Sequence, residues 1–138
     1  MRILLLILSL LLTAPVSADV YIIANRQLPQ NTISKADVTS LYFGKTNRLA
    51  TGEAVELLDL GRSEPPGLRL YTVLSGLGRN EIAIYWAKLR FSGRVTPPRS
   101  FSSESELTAY VGRNPGAIGV VFAPASDQRV KLLLHLPE

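Results

Sequence analysis

The chain has 138 residues, of which 46% are hydrophobic, with no cysteine and a formal net charge of +4. This composition is typical of a single compact domain, and it excludes a disordered chain, a collagen-like repeat and a disulfide-stapled scaffold. Without cysteine, thiol catalysis and cysteine-ligated metal sites are also excluded.

The first 18 residues predict a cleaved secretory signal peptide. Arg2 gives a positive start, residues 3–12 form an apolar run, and small residues ending at Ala18 follow where a signal peptidase cuts. An apolar run of about 10 residues is shorter than the ~20 residues of a membrane-spanning helix. We therefore expect residues 19–138 to form one exported, periplasmic domain that is not an integral membrane protein, with a net charge of about +3.

The first half of this domain predicts two strands separated by a helix. Residues 20–24 are consecutively apolar and rich in β-branched side chains, which is typical of a strand buried on both faces. Ser34, with Asp37 three residues later, predicts the capped start of a helix that Gly44 ends. Residues 55–60 predict the second strand.

The second half predicts three helices and two further strands. A helix is expected over residues 68–74, and another over residues 81–91 with Asn80 as its N-cap. Ser103 opens the third helix, with acidic residues in its first turn. The last two strands are predicted at residues 117–122 and 130–136. This order of elements predicts an α/β fold in which helices flank a mixed sheet.

The loop between the second strand and the helix at residue 68 is a candidate oxyanion site. A loop containing Gly61, Ser63 and Gly67 lets an anion approach the unpaired N–H groups at a helix start, and Arg62 adds a charged donor. An ordinary turn is the alternative interpretation. Two prolines remove backbone donors there, and Glu64 places a negative charge where an anion would bind.

A second pattern, between residues 86 and 99, alternates aromatic and basic side chains as some nucleic-acid-binding surfaces do. Trp86, however, shares its helical face with Ile82 and Leu89, which places it in the core, and export removes the protein from cytoplasmic nucleic acid. We therefore expect no nucleic-acid partner, which leaves a solvated basic face or an acidic protein partner.

Catalysis is not expected from this sequence. His135 is the only histidine, and no nucleophile, base and orienting group can be named together. No pattern of metal ligands occurs, so we expect neither a catalytic residue nor a metal or other cofactor.

With the elements placed, the sequence resembles the phosphate-binding proteins of ABC transporters, a type 2 periplasmic binding protein family, and in particular their short single-lobe members. Three stretches in matching order carry the resemblance: ISKADVTSLYFGK at residues 33–45, VELLDLGRSEPPGLR at residues 55–69 and NPGAIGVVF at residues 114–122.

The resemblance implies the fold of one lobe of such a protein and a site for phosphate or a similar oxyanion in the central loop. Arg62 matches the loop arginine of the family, and Ser63 matches the start of its hydroxyl-bearing turn, whereas Pro65, Pro66 and Gly67 replace a Ser, Gly and Thr sequence. Because one lobe cannot enclose a ligand, the implied binding is weak or assisted by a partner. The alternative function is an interaction module without a ligand, serving an envelope transporter, sensor or secretion complex.

Overall fold

The computed structural model describes residues 19–137, so the predicted signal peptide lies outside the described residues. The elements follow in the order β1 (Val20–Asn25), α1 (Lys35–Tyr42), β2 (Glu56–Asp59), α2 (Leu68–Ser75), α3 (Arg79–Ser92), β3 (Arg99–Ser100), α4 (Glu104–Arg113), β4 (Ala117–Val121) and β5 (Val130–Leu136). No helix among the described residues is long and apolar enough to cross a membrane.

The strands form one mixed sheet in the order β3-β2-β4-β1-β5. Strand β2 pairs in parallel with β3 and β4, and β1 pairs antiparallel with β4 and β5. The central strands β1 and β4 are buried along almost their whole length, which explains their continuous apolar sequences. The predicted α/β fold with a mixed sheet and flanking helices is therefore confirmed.

Helices cover both faces of the sheet. Alternate residues of the central strands, such as Ile22 and Val120, pack against α1, α2 and α3 on one face. The intervening residues, such as Ile23 and Val121, pack against α4 on the other face. This division follows from the two-residue period of side chains along a strand.

Most helix ends agree with the sequence prediction. Ser34 and Ser103 cap α1 and α4, each accepting a hydrogen bond of 3.1 Å from a backbone N–H three residues later. The predicted cap of α3 is wrong: the helix begins at Arg79 after the N-cap Gly78, whose N–H donates to the Glu81 carboxylate. A glutamate three residues into the helix thus replaces the side chain that glycine lacks.

The path of the chain around β2 and β3 creates a crevice at one edge of the sheet. These two strands are parallel neighbours, so their carboxyl ends lie side by side. The chain leaving β2 enters α2 and α3 on one face, whereas the chain leaving β3 enters α4 on the opposite face. Neighbouring parallel strands whose helices diverge in this way form a topological switch point, the place where α/β proteins bind ligands.

Candidate functional site

A cleft of about 690 Å³ occupies the switch point. One wall is the loop after β2, residues 60–66, and another is formed by residues 100–102 at the end of β3. The remaining wall is one side of α3, with lining residues Ile82, Ala83, Trp86, Ala87 and Arg90. The candidate loop identified in the sequence therefore lies along a cleft rather than on a flat surface.

Asp59, the last residue of β2, is completely buried beneath this cleft. Its Oδ2 accepts hydrogen bonds from Arg62 Nη1 at 2.7 Å and the Tyr71 hydroxyl at 2.5 Å. Its Oδ1 accepts from the Ser100 hydroxyl at 2.5 Å and the Gly61 N–H at 3.0 Å. A buried carboxylate is stable only when its oxygens are satisfied in this way. Asp59 therefore joins the two loops that line the cleft.

The Arg62 guanidinium is held in place by its Nη1 atom. Besides Asp59, Nη1 donates to the Pro98 carbonyl at 2.9 Å, and the guanidinium carbon lies 5.3 Å from the centre of the Trp86 ring. Burial is the largest single effect and lowers the pKa of Arg62, but the contributions of Asp59 and Tyr71 together outweigh burial, so the pKa is raised. Within the described chain, Nε and Nη2 donate no hydrogen bond, so both can serve a ligand in a fixed geometry.

The backbone of the loop adds further donors. The N–H groups of Arg62, Ser63, Glu64 and Gly67 make no hydrogen bond among the residues the structure covers. The first N–H groups of α2 behave differently, because Leu68 donates to the Glu64 carbonyl at 3.0 Å, closing the loop on itself. The unused donors therefore lie in the loop, ahead of the helix.

The two glycines of the site shape this loop. Gly61 has φ +94°, a conformation that side chains other than glycine rarely adopt, and its N–H is directed to Asp59. Gly67 has ordinary helical angles, but a Cβ there would overlap the carbonyl oxygens of Leu60 and Gly61. Only glycine at position 67 allows the end of the loop to pass this close to its beginning.

The charges at the cleft are close to balanced, with a small positive excess. The Arg62 charge faces Asp59, and the Glu64 carboxylate pairs with Arg79 Nη2 at 3.1 Å on the surface. Arg90 lines the cleft and forms no ion pair within residues 19–137. The negative charge that Glu64 brings to the loop is thus offset by a neighbouring arginine.

Sequence reasoning missed two residues under the cleft, Asp59 and Tyr71, and only Asp59 has a signal that could have revealed it. Asp59 interrupts the apolar stretch of β2, and a charged residue within a buried strand is a signal for a paired carboxylate. Tyr71 lies in a mostly apolar stretch of α2 that gives no sign of a polar role, yet its hydroxyl donates a hydrogen bond to Asp59. Burial first, and the Asp59 charge second, raise the pKa of Tyr71 well above its usual value, so it remains a donor.

The aromatic and basic side chains between residues 86 and 99 lie in different places: Trp86 is in the core, as the sequence predicts, and the basic side chains of Lys88 and Arg94 are on the surface. Trp86 is only 5% exposed and contacts Tyr71 edge to face at 6.2 Å, so it is a core residue. Lys88 and Arg94 are exposed and form no ion pair among the described residues. Across residues 19–137, no three His, Asp or Glu side chains are grouped so as to hold a metal ion.

Comparison with solved structures identifies the fold. The chain superposes on an ABC-type phosphate transport receptor from Vibrio cholerae with a TM-score of 0.64 and 14% identity, covering 85% of this chain and 47% of that chain. It also superposes on a putative phosphate ABC transporter substrate-binding protein with bound phosphate from Clostridium perfringens, with a TM-score of 0.60 and 14% identity, covering 86% and 46%.

The chain therefore has a solute-binding-protein fold, as the resemblance implied, and spans about half the length of the solved structures it matches. Both neighbours are described as a receptor or a binding protein rather than as an enzyme. No protein-family model and no curated protein matches the sequence.

Proposed function

We propose that this protein is an exported, non-enzymatic module that binds an oxyanion such as phosphate in the cleft between the loops following β2 and β3. The observation that carries this proposal is the position of Arg62 at the topological switch point. Its side chain and the adjacent backbone there have N–H groups that donate to no acceptor in the described chain.

Arg62 is the central ligand in this proposal. Its Nη1 atom is fixed by Asp59, so Nε and Nη2 form an oriented pair of donors whose position costs little entropy on binding. Such a pair matches the spacing of two oxygens of a phosphate or sulfate. Asp59 cannot touch the ligand, because it is fully buried, and it acts as the positioning residue for Arg62.

The loop completes the proposed site. The Ser63 hydroxyl and the unused N–H groups of residues 62–64 donate further hydrogen bonds, while Gly61 and Gly67 set the path of the loop that presents them. Successive N–H groups in a glycine-containing loop form a concave anion-binding surface even though Pro65 and Pro66 donate nothing.

Affinity is expected to be low for the isolated protein. The cleft is open to solvent on one side, and a pocket that binds tightly buries most of its ligand. We propose that a second chain or lobe covers the bound ion when high affinity is required. The phosphate bound to the Clostridium perfringens neighbour and the predicted signal peptide support a periplasmic phosphate-related role.

Calorimetric titration of the purified protein with phosphate and sulfate tests the proposal. We expect millimolar or tighter binding that Arg62→Gln weakens at least tenfold, because the glutamine amide is neutral yet can still donate to Asp59. Lys88→Gln is the matched control: it removes the same charge from an exposed residue that does not line the cleft. No binding at millimolar ligand, or equal effects of the two variants, would refute the proposal.

One observation favours docking to an acidic envelope protein as a second candidate function. Phe91 and Ile84 are 94% and 55% exposed on α3, and Lys88 and Arg94 carry unpaired positive charge beside Phe91. An apolar centre with a positive rim complements an acidic surface. A photo-crosslinker at position 91 should capture one envelope protein, and binding to that purified protein should weaken with salt. Failure of either test would remove this candidate.

A further inference from the structure

We propose that the cleft selects an oxyanion carrying a compact apolar organic group, such as a phosphonate or phosphate monoester, over the free inorganic ion. This inference rests on the proposed function, since it concerns the ligand class of the same site. It follows from the size of the cleft and from the apolar residues that line it away from the donors.

The cleft is too large for a free ion. Its volume is about 690 Å³. One water molecule takes about 30 Å³ of liquid, so an ion of five non-hydrogen atoms needs roughly 150 Å³. A volume several times larger lies in the range typical of sites for small organic molecules, roughly 300–1,000 Å³. Inorganic phosphate bound at Arg62 would therefore leave most of the cleft to solvent.

Apolar side chains from three separate segments line much of the remaining space, beside the polar side chains of Arg90 and Ser102. Ala83 and Ala87 present methyl groups from the exposed side of α3, and Phe101 lies at the end of β3. Pro65 and Pro66 contribute ring carbons from the loop and, lacking N–H groups, offer no donor to a second charged group. These alanine, proline and phenylalanine surfaces favour contact with an apolar substituent over a second polar group.

The Phe101 side chain is held in place by its neighbours before any ligand binds. The ring of Phe101 packs 5.4 Å from that of Tyr110, and the guanidinium carbon of Arg99 lies 5.2 Å from the Phe101 ring centre. Tyr110 is itself fixed by hydrogen bonds of 2.7 and 2.8 Å to the Glu56 carboxylate. A preorganised side chain loses little conformational entropy on binding, so contact of a substituent with Phe101 adds directly to affinity.

The two halves of the ligand would therefore meet different parts of one cleft. The oxyanion would bind Arg62 and Ser63, and the organic group would extend toward Ala87 on α3. Arg62 and Ala87 line the same cleft, so one ligand in that cleft can contact both the charged and the apolar subsite. A ligand of modest length, such as a phenyl or short alkyl phosphonate, spans both.

Calorimetric titration with inorganic phosphate, methylphosphonate and phenylphosphonate tests this inference. We expect phenylphosphonate to bind about tenfold more tightly than phosphate, because removing about 55 Å² of apolar surface from water corresponds to roughly that factor in Kd. Methylphosphonate should fall between the two. All binding should depend on Arg62, as judged with Arg62→Gln.

Two variants of α3 separate the organic subsite from the anion site. Ala87→Gln places a polar amide in the cleft and should abolish the preference for phenylphosphonate while leaving the Kd for phosphate within about twofold. Ile84→Gln is the matched control: it lies on the same helix outside the cleft, and the preference should persist.

The outcomes distinguish this inference from the proposed function. Equal, Arg62-dependent binding of phosphate and phenylphosphonate would overturn the ligand class and leave oxyanion binding intact. A preference for phenylphosphonate that survives Ala87→Gln, or is lost with Ile84→Gln, would also overturn it, because the organic group would then bind elsewhere. Binding of none of the three ligands would overturn the inference together with the proposed function.

Discussion

Replacing Asp59 by asparagine should strongly destabilise the protein, although the two side chains have nearly the same shape. The carboxylate accepts hydrogen bonds on both oxygens, from Arg62 and Tyr71 on Oδ2 and from Ser100 and Gly61 on Oδ1. Asparagine offers one acceptor oxygen and one NH₂ group. Whichever way the amide turns, two donors lose their acceptor.

The expected cost is about 3 kcal/mol. Loss of a charge-assisted hydrogen bond costs about 1.5–3 kcal/mol, and a buried hydroxyl without an acceptor costs about 1–3 kcal/mol. Hydroxyl rotation in Tyr71 and Ser100, together with the 21% exposure of the Arg62 side chain, recovers part of this sum. A loss of ~3 kcal/mol from a typical stability of about 5–15 kcal/mol corresponds to a Tm lower by about 10 °C.

Urea unfolding followed by tryptophan fluorescence measures this change directly. Trp86 is the only tryptophan in the chain and lies against both Arg62 and Tyr71, so its emission reports on this part of the core. Asp127→Asn is the matched control, since it removes an aspartate paired with Arg129 at the surface. We expect a much smaller shift for that variant. A stability of Asp59→Asn within about 0.5 kcal/mol of the wild type, the range of ordinary surface substitutions, or equal shifts for the two variants, would refute the reasoning.

Two further predictions concern the same region. Gly67→Ala should lower the free energy of unfolding in urea by about 2–3 kcal/mol, because the new Cβ would overlap two backbone carbonyls. Gly116→Ala is the control and should have little effect, since the nearest atom to its new Cβ would be 3.8 Å away. Similar urea midpoints for the two variants would contradict this account. In the folded protein, burial, with a smaller contribution from Asp59, raises the pKa of Tyr42 and Tyr71 well above the usual value. The stability that their neutral forms contribute is therefore present below about pH 10, the value in the unfolded chain, and is lost as the pH rises beyond it. In a titration of native protein at 295 nm, at least two of the five tyrosines, Tyr42 and Tyr71, should remain protonated at pH 11, and ionisation of all five near pH 10 would contradict the described core.

The elements predicted correctly are those whose signals are local. Strand β5 has the predicted bounds, and Ser34 and Ser103 cap helices where expected, because strand periodicity and N-caps depend on a few neighbouring residues. Strand β3 is not among the elements that the sequence predicts. Its two residues, Arg99 and Ser100, become a strand only by pairing with β2, a contact between residues about 40 positions apart.

In the candidate site, too, the residues with a local sequence signal were predicted and the contacts between distant residues were not. Arg62 and Ser63 were identified because a glycine-containing loop between a strand and a helix is a local signal. Their setting was not visible in the sequence: Asp59 reaches Ser100 across 41 positions, and Trp86 comes to lie beneath Arg62 through helix packing. The walls of the cleft depend on three segments brought together by the fold, which no local pattern reveals.

The position of the bound ion is the most direct test of the central claim. Amide and arginine side-chain N–H signals of the ¹⁵N-labelled protein should be followed by NMR while phosphate is added. We predict the largest shifts at residues 61–64 and at the Arg62 Nε–H, with smaller shifts at residues 100–102, and no saturable shift in the other basic clefts, beside Lys45 or beside Arg113. Saturable shifts centred on either of those clefts, or none at millimolar phosphate, would contradict an oxyanion site at the carboxyl ends of β2 and β3.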